Sequence, residues 1–366
     1  MMKKKVVLIF LGDFLYDARC QNMADTIINS GSILHIIHTG KSLKKYRNSI
    51  INHISVPNSG LMKYLHFFLN VKKIVKKLKP NIIIASDLYS LPAAHSYRAN
   101  YLVYDSRELY THLAGLNNKP IKQYIWSLIE KIYINKVDSV LVTAPGDKVI
   151  LNTKYDNLNI NVIYNYPSIY MKPQKTSKLR EKLNIDNSST IFLYQGVLHK
   201  GRGIKSMLKI LDNFNDTYAV IIGDGPYKFF LKEYISKKSI SDKVFFIKSV
   251  PYKELLNLSA EADVGFSLIK PISISYEQAL PNKLFEYALA GLPIIASNLP
   301  EIKKIINKYP IGYCVPFNDI NEQIKFIKKI LQDKMGKNIQ NIAAKNLVWE
   351  NQKINFLNSI SINEKS

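Results

Sequence analysis

Short β-branched runs alternate along the chain with longer stretches in which apolar residues recur every three or four positions. The runs Val6–Leu11, Leu34–His38, Ile82–Ala85, Tyr101–Tyr104 and Ser139–Thr143 predict strands. Between them, Ala18–Ser30, Met62–Lys79, Leu91–Asn100 and Ile121–Lys136 carry helical spacing. Such alternation predicts parallel strands joined by crossover helices. Ile82-Ile83-Ile84 is apolar without a break, as a strand covered on both faces reads.

The rhythm stops at Asn165–Lys178, where Pro167 and Pro173 stand among Ser, Thr and Lys, and this segment reads as a linker. It then resumes. Thr190–Gln195, Tyr218–Ile222, Val244–Ile247, Val264–Ser267, Pro293–Ala296 and Gly312–Pro316 predict strands. Ile204–Asn213, Pro226–Lys237, Tyr252–Glu261, Lys283–Ala290 and Asn321–Gln332 predict helices. The tail Ala343–Ile360 is helical in pattern, with Trp349 as an aromatic anchor. The expected fold is α/β, in two Rossmann-like domains of similar size spanning 1–168 and 169–344. In parallel sheets ligands sit at the carboxyl ends of strands, and two sheets facing each other form a cleft. The chemistry is therefore expected in loops that follow strands.

Composition narrows the class. A 47% hydrophobic fraction over 366 residues is that of a globular chain and excludes a disordered one. No apolar run approaches the roughly 20 residues that span a bilayer. The start imitates a signal peptide, but Asp13, Asp17 and Arg19 follow a short apolar stretch, so a first strand explains it better. Cys20 and Cys314 stand far apart, with neither a disulfide framework nor a paired-Cys metal motif. A reduced, cytoplasmic protein is expected. The sign of the charge changes the picture: 51 Lys+Arg against 28 Asp+Glu leave a formal +23. That points to a polyanionic partner, set against a general abundance of Lys, Asn and Ile.

Three clusters carry chemistry. In Tyr194-Gln-Gly-Val-Leu-His-Lys-Gly-Arg-Gly203, which follows a strand and opens a helix, Gly196, Gly201 and Gly203 allow close backbone approach. Lys200, Arg202 and a helix N-terminus supply positive charge, a means of holding a diphosphate. It is neither a Walker loop nor a dinucleotide fingerprint. Gly223-Asp-Gly-Pro226 is a strong turn signal, with a ligand-facing backbone as its second reading. The third cluster runs from Ser275 to Ser297 and includes Pro281-Asn-Lys-Leu-Phe-Glu-Tyr287 and Gly291-Leu-Pro-Ile-Ile-Ala-Ser297. Lys283 and Glu286, three apart, share a helix face in its first turns. They read either as a surface ion pair or as groups facing phosphate and ribose hydroxyls.

The last string resembles the second-domain signature of family-four-like glycosyltransferases of the GT-B fold. The preceding loops, and Ala262-Asp-Val-Gly-Phe266, come in that family's order. Asp17-Ala-Arg19, Ser86–Pro92, Tyr104–Tyr110 and Asn165-Tyr-Pro167 look like its N-terminal motifs. The resemblance implies two domains facing across a central cleft, with a C-terminal helix, 345–366, packing back on the first. It implies transfer of a sugar from a nucleotide-diphosphate donor to a glycan or lipid-linked acceptor, with retention, in bacterial cell-surface polysaccharide synthesis. Glu286 would hold the donor ribose. Arg202 and Lys200 would face the diphosphate, and Asn282 and Lys283 would line the donor loop beside Gly196, Gly203 and Gly223. Two departures stand out. The family commonly pairs its Glu with another seven residues earlier, whereas counting back from Glu286 gives Gln278, with Glu277 adjacent. Many relatives also carry a His where Arg107 stands.

Charge grows on the leaving diphosphate during such a transfer, and fixed cations aimed there stabilise it. No Asp-x-Asp metal motif occurs, so Arg202, Lys200 and Lys283 are expected to serve without a metal. Asp17, Asp87, Asp105 and Glu108 are candidates for acceptor contact or proton transfer, with helix cap or buried ion pair as the competing reading for Asp17 and Asp105. The stretch 62–79 sets Lys72, Lys73, Lys76, Lys77 and Lys79 largely opposite an apolar stripe. It reads as a solvated basic face or as a contact with anionic lipid, extended by Lys41–Arg47. A nucleotide-sugar 2-epimerase on the same fold is one alternative. A basic nucleic-acid-binding protein is another, but the lysines spread through both halves without a recognised nucleic-acid module, so no nucleic acid is expected.

Overall fold

A computed structural model describes residues 3–41, 43–173, 176–333 and 336–362. Gln174 and Lys175 of the expected linker lie outside them. The chain divides into two compact units. One holds residues up to Tyr164, Ser273–Ser275 and the segment from Trp349; the other holds Asn165–Ile272 and Tyr276–Val348.

The first unit is a seven-stranded sheet built from β1 (Lys5–Phe10), β2 (Ile33–His38), β3 (Ile50–His53), β4 (Ile82–Ala85), β5 (Tyr101–Ser106), β6 (Ser139–Val142) and β7 (Ile160–Val162). The order is β3-β2-β1-β4-β5-β6-β7, and every pair is parallel. Alternate residues feed two cores. Val7 and Ile9 enter one, and Val6 and Leu8 the other, as the period of two requires.

The five interior strands match the sequence reading closely. The edge strands β3 and β7 were not expected, because β3 carries Asn52 and His53 and β7 is three residues long. The helix expected over Leu91–Asn100 stops at Ala94, where Ser96 donates from its hydroxyl to the Ala93 carbonyl. An unexpected helix, Pro145–Lys154, opens on Pro145-Gly146, a pair that reads as a turn although Pro suits a first helical position.

The tail is not one helix. The helix Gly336–Asn346 ends, a 3₁₀ turn covers Trp349–Gln352, and Lys353–Ser359 is helical again. The break lets Trp349 enter the first unit's second core, where its indole N–H donates to Thr26 Oγ1 at 2.8 Å. Gln352 then clamps the chain at Tyr164: its Oε1 accepts from the Tyr164 N–H at 2.9 Å, and its Nε2 donates to the Tyr164 carbonyl at 2.6 Å.

The second unit is a six-stranded parallel sheet of β8 (Thr190–Gln195), β9 (Thr217–Ile222), β10 (Val244–Ile247), β11 (Val264–Ser267), β12 (Ile294–Ser297) and β13 (Gly312–Val315), in the order β10-β9-β8-β11-β12-β13. The strand order reverses between β8 and β11, and the crevice beyond their carboxyl ends is where open α/β sheets bind ligands. The helix Pro300–Lys308, unexpected from the sequence, again begins on Pro; it buries Ile302, Ile305 and Ile306. Gly265 lets the helix Asn282–Ala290 pack on β11: a Cβ there would meet the Tyr287 ring at 2.6 Å. Among the described residues no helix is long and apolar enough to cross a membrane.

Candidate functional site

Within the second unit, the loops after β8 and β9 and the start of the helix Asn282–Ala290 bring most of the expected donor residues together. Two glycines hold the loops in place. Gly203, at φ +77°, abuts Leu268 so closely that a Cβ would meet its carbonyl oxygen at 2.4 Å. Gly223, at φ +138°, leaves 2.1 Å between a hypothetical Cβ and the Gly196 carbonyl oxygen. The loops after β8 and β9 are thus stacked backbone on backbone, which only glycine permits. Gly196 itself is exposed and faces open space.

Glu286 and Lys283 are not a surface ion pair. Both are buried. Glu286 Oε2 accepts from Gln195 Nε2 at 2.5 Å, and Gln195 Oε1 accepts from Ser259 Oγ at 2.6 Å. The carboxylate only accepts, so it fixes which way the Gln195 amide points, with the N–H side toward Glu286 and the oxygen toward the Ser259 hydroxyl. The Tyr252 hydroxyl also bonds Glu286. Burial pushes the Glu286 carboxyl above its ordinary value, while the hydrogen bonds from Gln195 and Tyr252 and the charge of Lys283 pull against it. Tyr287, the next residue, accepts from the Gln195 backbone N–H at 3.0 Å, which ties the helix to the end of β8.

Lys283 sets its ammonium 3.5 Å from the centroid of the Tyr194 ring and forms no salt bridge among the described residues. Burial first, then the neighbouring Arg202 charge, drives its pKa well below that of an ordinary lysine. Arg202 lies over the Tyr276 ring at 4.2 Å and donates from Nε to the Tyr276 hydroxyl at 3.0 Å. Two cations thus converge beside a glycine-lined loop, each resting on an aromatic face rather than on a carboxylate. Cations in this setting attract an anion strongly. Lys200, in the glycine loop, and Asn282, the first residue of the helix, are exposed. Glu277 is exposed and Gln278 half-buried, at the end of the short helix Ile274–Glu277.

In the first unit, Asp105 has no exposed surface, and both its oxygens serve arginines. Arg19 reaches it through Nη2 at 2.6 Å and Nε at 3.0 Å, and Arg107 Nε lies 3.5 Å away. Arg107 also bonds both oxygens of Asp17, which caps the helix Ala18–Asn29 by accepting from the Cys20 N–H at 2.7 Å. Burial raises the Asp17 carboxyl, but the charge and hydrogen bonds of Arg107 outweigh it and hold the pKa below the ordinary value. Asp17 and Asp105 are thus a helix cap and a buried ion-pair member. Asp87 staples loops, accepting from the Leu11 and Ser90 N–H groups at 2.9 and 2.6 Å. Glu108 is exposed.

Gln195, Tyr252, Ser259, Tyr276 and Tyr287 complete the donor-side group without having been singled out. Their only signal is position: Gln195 precedes the glycine loop and Tyr287 follows Glu286. No cluster of three or more His, Cys, Asp or Glu suited to a metal ion occurs among the described residues.

Residues 175–346 match the family described as Glycosyl transferases group 1. An uncharacterised glycosyltransferase of Methanocaldococcus jannaschii is 23% identical over 257 residues, covering 64% of this chain and 60% of that protein. The chain spans between 52% and 66% of the length of the curated relatives it matches. Among solved structures, sucrose-phosphate synthase from Thermosynechococcus elongatus superposes with a TM-score of 0.81 at 16% identity, covering 96% of this chain and 97% of that one. HepE from Anabaena, in complex with UDP and glucose, gives 0.78 at 14% identity over 98% and 99%. At these identities the structures establish the fold, which is GT-B.

Proposed function

We propose that this chain moves a sugar from a nucleoside-diphosphate donor to a glycan or lipid-linked acceptor, a reading supported by the match of residues 175–346 to the Glycosyl transferases group 1 family and by the GT-B fold. The observation that carries this reading is Lys283: a buried ammonium held by a ring face, beside a second cation and at the head of the helix that presents Glu286. That arrangement suits a diphosphate with a ribose attached. HepE was solved with UDP and glucose, which supports a nucleoside diphosphate as the donor class.

In the proposed reaction the bond from the sugar anomeric carbon to the diphosphate oxygen breaks, and the electron pair stays on the diphosphate. Arg202, Lys283 and Lys200 meet the growing charge in place of a divalent cation, and the N–H groups at the Gly203 helix start add partial positive charge. Glu286, held by Gln195 and Tyr252, accepts hydrogen bonds from the ribose hydroxyls. The acceptor oxygen bonds the anomeric carbon from the leaving-group face, giving retention, and its proton passes to a diphosphate oxygen. The carbon goes through an oxocarbenium-like state without needing a carboxylate nucleophile. Of the four candidate acids in the first unit, Glu108 is the exposed one and would serve the acceptor, while Asp105 acts through Arg107 as a positioning residue. A lipid-linked acceptor fits peripheral attachment at the inner membrane face through 62–79.

Incubation with nucleoside-diphosphate sugars, reading free nucleoside diphosphate and the product's anomeric signals by NMR, tests this directly. The reading expects diphosphate release that rises with acceptor, an axial-type product from an axial donor, and loss of turnover in Arg202→Ala. Conversion of the donor to its C2 epimer without acceptor would overturn it in favour of an epimerase.

A further inference from the structure

The large apolar side chains left exposed are not scattered. Among the described residues nineteen are exposed, and nine of them lie on two helices of the first unit. On the helix Leu61–Leu78 they are Leu61, Met62, Leu65 and Leu69, confined to its first half. On the helix Pro120–Ile134 they are Ile121, Tyr124, Ile125, Leu128 and Ile132, a stripe at three- and four-residue spacing. Neither stripe faces the core: Phe67, Val71 and Val75 do that on the first helix, and Trp126, Ile129 and Tyr133 on the second. The two helices meet where Tyr64 and Trp126 pack edge-on at 5.1 Å, and their chain neighbours Leu65 and Ile125 belong to the exposed stripes.

Every exposed charged side chain on the two helices is a lysine. The exposed side of the first helix continues past Leu69 as Lys73, Lys76 and Lys77, and the second helix exposes Lys122 and Lys131. No acidic residue occurs from Leu61 to Ser86 or from Leu109 to Ile129. Glu130 is buried, where it accepts from Lys154 Nζ and the Tyr155 hydroxyl, both at 2.8 Å. Two helices whose exposed charges are all lysines, beside an apolar stripe on each, suit a surface that offers hydrocarbon beneath and negative charge above. It does not suit a second copy of this chain. A two-fold contact would set these helices against themselves, lysine against lysine, with no exposed carboxylate on either helix to pair with.

We propose that the helices Leu61–Leu78 and Pro120–Ile134 together form a docking surface for an anionic lipid bilayer, with their exposed stripes inserted at the acyl boundary and Lys73, Lys76, Lys77, Lys122 and Lys131 on the headgroups. This rests in part on the reading of a lipid-linked acceptor. It assigns the insertion to a helix, Pro120–Ile134, outside the basic stretch 62–79, and to apolar side chains rather than to charge alone.

The test is co-sedimentation of the full chain with vesicles of 70% phosphatidylcholine and 30% phosphatidylglycerol, and of phosphatidylcholine alone. Binding is expected to the anionic vesicles and to be at least tenfold weaker to the neutral ones. Ile125→Asp with Leu128→Asp, both exposed, should lower anionic binding by tenfold or more with an unchanged melting temperature. Lys73→Gln with Lys76→Gln should lower it and flatten its dependence on salt. Equal binding by the aspartate variant, or no binding to anionic vesicles, overturns the proposal. So does a dimer in sedimentation velocity that the aspartate variant abolishes, which would give the face to a second copy. Melting with and without UDP, run on the same samples, reports the donor site separately, so vesicle binding and nucleotide binding can fail independently.

Discussion

Lys283 is a cation that the fold buries without giving it a carboxylate. Its pKa is depressed, so the folded state holds its proton less tightly than the unfolded chain does. The sign follows: as pH falls below the unfolded value of about 10.4, this group weakens the fold, and the penalty is complete below the folded value. Lys283→Met should therefore leave the melting temperature unchanged or raise it near neutral pH, while weakening nucleoside-diphosphate binding at least tenfold by calorimetry. A fall in stability with unchanged binding would make Lys283 a packing residue. Glu286 carries the opposite sign. Its carboxyl is raised, so nucleotide binding should fade on the acid side at a pH above that of an ordinary glutamate, about 4.3. Gln195→Leu removes a donor that favours the charged form and should move that acid limb higher still, read as Kd against pH. In the first unit, Asp105→Asn strands two arginines and should cost about 3–5 kcal/mol in denaturant unfolding. A residue serving only an acceptor would cost almost nothing. The sequence made Lys283, Glu286 and Arg202 legible because they stand in one string or directly behind a glycine loop. Gln195, Ser259 and Tyr252 were not, because their bonds join positions that only the folded sheet brings together.

At the scale of elements, the interior strands were legible because burial on both faces writes them as unbroken apolar runs. The edge strands Ile50–His53 and Ile160–Val162 lack that mark, being half-wet or too short. Helices opening on Pro145 and Pro300 were hidden because proline reads first as a breaker. The tail misled in the other direction: its helical periodicity is real on both sides of Trp349, but the indole reaches Thr26 only if the helix breaks. Trp349→Ala should cost about 3–5 kcal/mol, read by chemical denaturation. Gly223→Ala puts a methyl group where 2.1 Å separates a Cβ from the Gly196 carbonyl, at a φ that side chains avoid. It should cost about 2 kcal/mol or more and displace the glycine loop, so nucleotide binding should fall along with stability.

For the whole molecule, a charge of +23 first suggests a polyanion of any kind. The two proposed anionic targets would account for the informative part of it: a diphosphate at Arg202 and Lys283, and a lipid surface at the two exposed helices. The remaining lysines are spread through both units, and the expectation stays that no nucleic acid is bound specifically: retention of duplex DNA at 0.15 M salt should not exceed the non-specific range of roughly 10⁻⁴–10⁻⁶ M. The central claim is the donor site, and thermal melting of the wild type and Glu286→Gln with UDP, GDP, ADP and CMP tests it most directly. The wild type should rise by about 5 °C with one diphosphate at a hundredfold excess over Kd. Glu286→Gln should melt no lower than the wild type without ligand, because it removes a buried charge, and should lose the shift. No shift with any nucleotide, or an equal shift in both proteins, would contradict the account.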